Sequence, residues 1–156
     1  MRVFKFGGAS VKDALGVQNL ERVLRTVGFE NTLIVISAMG KTTNALETVL
    51  DNYFYNKSEL QSSLQEVKKY HNAILLDLFD TNGEEAHPVF KNVTSLFDEL
   101  QNFLDRNKSP DYNFVYDQII GYGELVSTTI VSDYLNLVGI KNKWLDVREY
   151  IKTDTY

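Results

Sequence analysis

From Val3 to Tyr55 the chain alternates strand-like and helix-like runs, and this alternation constrains the fold more than any other feature. Val3-Phe4-Lys5-Phe6 is short and β-prone. Leu33-Ile34-Val35-Ile36 is a continuous apolar run entered through Asn31-Thr32. A run of that kind suits a strand buried on both faces, as in a parallel sheet. Between the two lie Leu20, Val23, Leu24 and Val27, spaced as the apolar face of a helix. A polar loop over residues 37–44 leads into a second helix expected to run through about Tyr55. Strand, helix, strand, helix predicts an α/β fold. In such sheets ligands bind beyond the carboxyl ends of the strands, so the turns at Gly7 and Gly40 should face one site.

The first of those turns reads Lys5-Phe6-Gly7-Gly8-Ala9-Ser10. A helix beginning near Ser10, with Asp13 three residues on in a capping-box pattern, would complete a cradle for an anion. Glycines let a backbone come close to a phosphate, while free amides and a helix dipole favour negative charge. Lys5 adds a mobile point charge suited to phosphate oxygens. A tight turn with a merely solvated lysine accounts for the hexapeptide equally well.

Bulk properties narrow the function. With 156 residues, 44% of them hydrophobic, the chain can bury one sizeable core. A net charge of −5 with no basic run argues against nucleic acid as a partner. Cysteine is absent, so there is no disulfide framework and no thiolate metal site. No apolar run reaches membrane-span length and nothing resembles a signal peptide, so a cytoplasmic protein without membrane contact is expected. The two histidines, His71 and His87, lack metal-ligand spacing and no metal site is expected. His71 falls on an apolar helix face as a packed or hydrogen-bonded core residue, and His87, ahead of Pro88, should be exposed.

The middle of the chain is helical. Ser58-Glu59-Leu60-Gln61 reads as a capping box, and Leu60, Leu64, Val67, His71, Ile74, Leu75 and Leu78 form one stripe. Thr81-Asn82-Gly83 should break it. Pro88 then opens a helix with Val89, Val93, Leu96, Phe97, Leu100, Phe103 and Leu104 as its stripe. The two should form an antiparallel hairpin added to the α/β core, with packing as their role. Ser109-Pro110-Asp111 marks a third helix start, running to Gly139 and followed by a strand at Lys143-Trp144-Leu145-Asp146-Val147. Inside that third helix stand Gly121 and Gly123, each costing about 1 kcal/mol relative to alanine. A close approach by a neighbour or ligand would offset that cost. Glu124 follows in a largely apolar helix and needs a cationic partner or several donors. A substrate ammonium would serve; so would a local lysine or arginine.

Three segments thus share a theme: Lys5-Phe6-Gly7-Gly8-Ala9-Ser10, Ser37-Ala38-Met39-Gly40-Lys41-Thr42-Thr43-Asn44 and Gly123-Glu124-Leu125-Val126-Ser127. In this order, and with the tail Trp144-Leu145-Asp146-Val147-Arg148-Glu149-Tyr150-Ile151-Lys152-Thr153-Asp154, the chain resembles the N-terminal part of an aspartate kinase, in the amino-acid kinase superfamily. The helical region over residues 57–108 is similar to an insertion of the larger members. The pattern departs at Ala9, where the commonest family residue is threonine; one side-chain hydrogen bond is lost, but not the backbone donors.

The resemblance implies a three-layer αβα sandwich of the carbamate-kinase-like type. It implies transfer of the ATP γ-phosphoryl group to the side-chain carboxylate of L-aspartate, the step that opens the route to lysine, threonine and methionine. ATP would be the phosphoryl donor, carrying Mg2+ with it, and the whole protein would be a homo-oligomer. By position, Lys5 would contact the transferring phosphate and Gly7 and Gly8 would supply backbone donors. Ser37 and Gly40 would shape the phosphate pocket, Thr43 would hydrogen-bond the bound aspartate, and Glu124 would take its α-ammonium. Family members also carry a second half with a Gly-Gly-Ser-Asp loop, an arginine for the aspartate carboxylate, an adenine pocket and ACT-type regulatory domains. None of these occurs in the 156 residues, so a fragment inactive by itself is expected. Two other readings stay open. One is a superfamily member acting on a different carboxylate, carbamate or phosphate acceptor; the other is a non-catalytic module that keeps the cradle and uses its helices for partners.

Overall fold

The parallel pair expected from the N-terminal alternation is present in the computed structural model, which describes residues 1–79 and 86–151. Strands β1 (Arg2–Phe6) and β2 (Thr32–Ile36) pair in parallel, with Arg2 opposite Thr32 and Phe6 opposite Ile36. Parallel neighbours need a crossover, and α1 (Ala14–Val27) supplies it. Side chains alternate along each strand, so this register puts Phe4, Phe6, Ile34 and Ile36 on one face and Val3, Lys5, Leu33 and Val35 on the other. The first face packs into the core. The second is open, with Val3 58%, Leu33 41% and Val35 42% exposed. The expectation that β2 is buried on both faces therefore fails, because nothing among the described residues covers its second face.

Helix α1 starts later than its sequence suggests. Gly8–Val11 forms a separate 3-10 turn, and Asp13, in extended backbone, caps α1 by accepting from Gly16 N at 2.8 Å. Ser10 lies inside the turn and is not the cap. The buried face is Ala14, Val17, Leu20 and Leu24, whereas Val23 and Val27 are exposed. Glu21 ties this helix to α6 (Tyr122–Leu137): it pairs with Arg25 at 2.7 Å and accepts from the Tyr134 hydroxyl at 3.0 Å. Burial, then the Glu21 carboxylate, pushes the Tyr134 phenol up to about 12.

Helix α2 (Thr42–Tyr55) ends where expected, and α3 (Lys57–Leu78) follows after Asn56 alone. The capping box at Ser58 does not form; Ser58 is already helical and its hydroxyl donates to Asn56 Oδ1 at 2.9 Å. The stripe of α3 is buried from Leu64 to Leu78, His71 included. Thr81-Asn82-Gly83 lies outside the described residues. Helix α4 (Val89–Arg106) follows Pro88 and buries Val89, Val93, Phe97, Leu100 and Leu104. Helix α3 packs along α2 and α4 along α6, while His71 and Phe97 meet between α3 and α4 with ring centres 5.7 Å apart. His87 is half-buried rather than exposed, stacked on Phe79 at 4.7 Å.

The third long helix is two. Helix α5 (Tyr112–Ile120) is capped by the Asp111 carboxylate, which accepts from Asn113 N and Phe114 N, and Gly121 separates it from α6. Glycine at the junction escapes the entropic cost it would incur in a helix interior. Residues 143–147 form no strand. Extended backbone becomes a strand by pairing, and this segment is tied to α6 instead. Asn142 N donates to Asn136 Oδ1 at 3.0 Å, Ser132 Oγ donates to Asn142 Oδ1 at 2.7 Å, and Trp144 Nε1 donates to Thr128 Oγ1 at 2.9 Å.

The cap assignment is testable by urea denaturation. Asp13→Ala should cost about 1 kcal/mol. Ser10→Ala should change stability by under about 0.5 kcal/mol, as for a surface substitution away from a cap.

Candidate functional site

The carboxyl ends of β1 and β2 meet through backbone. Ser37 N donates to Phe6 O at 3.0 Å and Gly40 N donates to Gly8 O at 2.9 Å. This approach depends on Gly8, where an added Cβ would stand 2.6 Å from Ala38 O and 2.9 Å from Gly40 O. Gly7 differs: a Cβ there would meet nothing within 4 Å. Of the two adjacent glycines, Gly8 is fixed by packing and Gly7 faces open space where an anion can approach. Because α1 begins at Ala14 and is capped by its own Asp13 carboxylate, the α1 dipole is not the floor of the cradle. At the end of β1 stands instead the backbone of residues 7–10, closed by Ser10 N donating to Gly7 O at 2.9 Å.

Lys5 lies one residue before the end of β1, on the open face of the sheet and opposite Val35. Gly40 has a left-handed φ of 55°, and a Cβ there would come within 2.5 Å of the Tyr70 hydroxyl. Thr43 stands half-buried in the first turn of α2.

The start of α6 closes the same loop from the other side. Glu124 is half-buried, with Oε1 accepting from Ala38 N at 3.4 Å. Ser127 is fully buried and its hydroxyl donates to Ser37 O at 2.9 Å. Gly123 permits this contact, since a Cβ would be 2.9 Å from Ala38 Cβ and 3.4 Å from Leu46 Cδ1. Packing thus accounts for Gly123, and the partner of Glu124 within the described chain is a backbone amide.

Sequence reasoning missed the polar contacts that support the loop from α3. Thr42, buried at the first position of α2, donates from Oγ1 to Met39 O at 2.6 Å and lies 3.3 Å from His71 Nε2. His71 Nδ1 sits 2.8 Å from Val67 O; a carbonyl only accepts, so Nδ1 carries the proton. Burial is the main cause lowering the His71 pKa, partly opposed by the Val67 hydrogen bond. No spacing rule links Thr42 to His71; the signal was a lone polar residue in an apolar stripe.

The comparisons give this arrangement of strand-end loops and glutamate a family. The model of the amino acid kinase family matches residues 1–155, and the chain belongs to that family. Within it the chain is similar to aspartokinases. It is 31% identical over 166 residues to aspartokinase 1, chloroplastic, of Arabidopsis thaliana, covering 99% of this chain and 27% of that protein. It is 26% identical over 153 residues to the bifunctional aspartokinase/homoserine dehydrogenase 2 of Escherichia coli (strain K12), covering 98% of this chain and 18% of that protein. Among solved structures, E. coli aspartokinase III in complex with aspartate and ADP matches with a TM-score of 0.83 at 22% identity, over 99% of this chain and 33% of that one. That likeness shows the αβα amino-acid kinase fold. The chain spans under a third of the curated relatives it matches. Among the described residues no helix is long and apolar enough to cross a membrane.

The His71 shift sets a pH dependence. With its folded pKa below the ordinary 6.5, the unfolded chain binds more protons between the two values. Stability should therefore fall as pH drops below about 6.5, and His71→Gln should flatten that part of the profile, read from unfolding midpoints at successive pH values.

Proposed function

We propose that the whole protein is an aspartate kinase, transferring the γ-phosphoryl group of ATP to the side-chain carboxylate of L-aspartate to give 4-phospho-L-aspartate and ADP. The observation that carries this reading is the meeting of three segments at one place: the Gly8–Gly40 backbone contact with Glu124 beside it at Ala38. Similarity to aspartokinases across nearly the whole chain supports it.

The chemistry asks little covalent work of the protein. An aspartate carboxylate is already ionised at neutral pH and attacks phosphorus without a general base. One of its oxygens forms the new bond to the γ-phosphorus as the bond to the β-bridging oxygen breaks, and ADP leaves with that electron pair. Catalysis then rests on alignment and on neutralising the phosphoryl oxygens. In this reading Lys5 supplies the positive charge, Gly7 and Gly8 offer backbone amides, and Ser37 and Gly40 bound the phosphate pocket. Thr43 hydrogen-bonds the aspartate and Glu124 pairs with its α-ammonium, exchanging the long contact to Ala38 N for a charged partner. Mg2+ would enter with the nucleotide, held by its phosphate oxygens. The product would feed lysine, threonine and methionine synthesis, in the cytoplasm, from a homo-oligomer.

Trapping of aspartyl phosphate with hydroxylamine tests the activity directly. ATP-dependent hydroxamate from the whole protein, and none from this chain, is expected; no hydroxamate from the whole protein would leave a non-catalytic module. In the whole enzyme Glu124→Ala should raise the aspartate KM about ten- to a hundredfold, since a charged hydrogen bond contributes about 1.5–3 kcal/mol. An unchanged KM would remove Glu124 from the site. Lys5→Ala should lower kcat by about 10²–10³-fold. A change confined to the ATP KM would make Lys5 a ground-state binder.

A further inference from the structure

Tyr70 and His71 are consecutive on α3: His71 lies in a stripe whose other buried members are apolar, Tyr70 stands half-buried beside it, and the Tyr70 hydroxyl and His71 Nε2 face the site loops. The Tyr70 hydroxyl donates to the carbonyl of Lys12, the residue that closes the 3-10 turn after Gly8. The same oxygen fills the space above Gly40. His71, fully buried, sets Nε2, an acceptor since Nδ1 carries the proton, 3.3 Å from Thr42 Oγ1, whose single proton it shares with Met39 O at 2.6 Å, the carbonyl just before Gly40. The two rings meet edge to face at 5.0 Å, so each limits the other's orientation. Leu64, Val67, Ile74, Leu75 and Leu78 already supply the burial that holds α3 on the core. Polar groups in such a stripe are costlier than apolar ones unless their hydrogen bonds do something an apolar side chain cannot. Neighbours on a helix point about 100° apart, so the pair brackets the loops from two directions.

We propose that Tyr70 and His71 are positioning residues: Tyr70 fixes the spacing of the Gly7-Gly8 turn from Gly40, and His71, through Thr42, fixes the start of α2 and hence Thr43. The kinetic side of this proposal rests on the aspartate kinase reading; the structural side does not. Tyr70 governs the phosphate end, so its loss acts on kcat. His71 governs the residue next to Thr43, so its loss acts on aspartate binding.

The test uses the whole protein with Tyr70→Phe, His71→Leu and His71→Gln, followed by amide hydrogen exchange and steady-state kinetics. Tyr70→Phe and His71→Leu should speed exchange at the Gly40 and Thr42 amides about tenfold or more, while α1 amides keep their protection. Tyr70→Phe should lower kcat about ten- to a hundredfold with the aspartate KM nearly constant. His71→Leu should raise the aspartate KM about tenfold, and His71→Gln, which returns a hydrogen-bonding group near Thr42, should recover much of it. Gly40→Ala should slow turnover, and adding Tyr70→Phe to it should restore part of the loss by making room for the new methyl. Folded variants with unchanged loop exchange and unchanged kinetics would overturn the proposal. If His71→Leu does not fold, Tyr70→Phe, which removes a single oxygen, decides. If the wild-type protein forms no hydroxamate, the kinase reading falls, and loop exchange still decides whether the two residues clamp the loops.

Discussion

The contact on which the site depends is the backbone meeting of two loops, Gly40 N to Gly8 O, at the carboxyl ends of paired parallel strands. It is possible because Gly8 has no Cβ; any other residue would collide with two carbonyl oxygens. Once these loops touch, the rest follows by packing. Ala38 is pressed against the start of α6, where Gly123 gives way to it and Ser127 and Glu124 hydrogen-bond the loop backbone. Met39 is buried beneath, and Thr42 opens α2 with its hydroxyl turned back to the Met39 carbonyl. A floor of main chain results, held by side chains of α2 and α6.

Much of this was legible in the sequence, because glycines and strand-helix alternation act locally. The two strands, the turn at Gly7 and Gly8, the α3 and α4 stripes and the turn at Gly139 are short-range features. Their signals lie within one or two turns of the residues that carry them. What the sequence could not separate was the work of neighbouring glycines. Gly7 and Gly8 look alike in the hexapeptide, yet one is fixed by carbonyls 30 residues away and the other faces open space. The α1 start shows the same limit. Ser10 and Asp13 are both good caps, and the choice fell to Asp13 because the intervening residues wind as a 3-10 turn held by the Gly7 carbonyl. The contacts of His71 and Tyr70 with the loops span 29 and 58 residues, beyond any periodicity.

Two further departures have a common cause. The strand expected at residues 143–147 has no ladder to join, and β2 has an uncovered face with Leu33 and Val35 exposed. Apolar periodicity records what a segment is suited to contact. It does not say that the partner lies among the residues described. Both segments carry a composition suited to a larger sheet, and the chain spans only 16% to 33% of the relatives it matches.

A kinase acting on a carboxylate differs in one respect from kinases acting on hydroxyls: its nucleophile needs no base to remove a proton. The rate then depends on how closely the carboxylate oxygen and the γ-phosphorus are aligned and how well charge is neutralised, and an error of about 1 Å can cost about a hundredfold. Such a site places its requirement on the stiffness of its loops. Loops are ordinarily the most mobile parts of a fold. Here they are pinned by hydrogen bonds from α6 and from α3, and the α3 contacts come from a segment that resembles an insertion. In the proposed aspartate kinase, a helix that holds this floor would change catalysis without touching substrate. That gives a physical reason for a histidine to sit in a stripe that a leucine could have filled, with a half-buried tyrosine beside it.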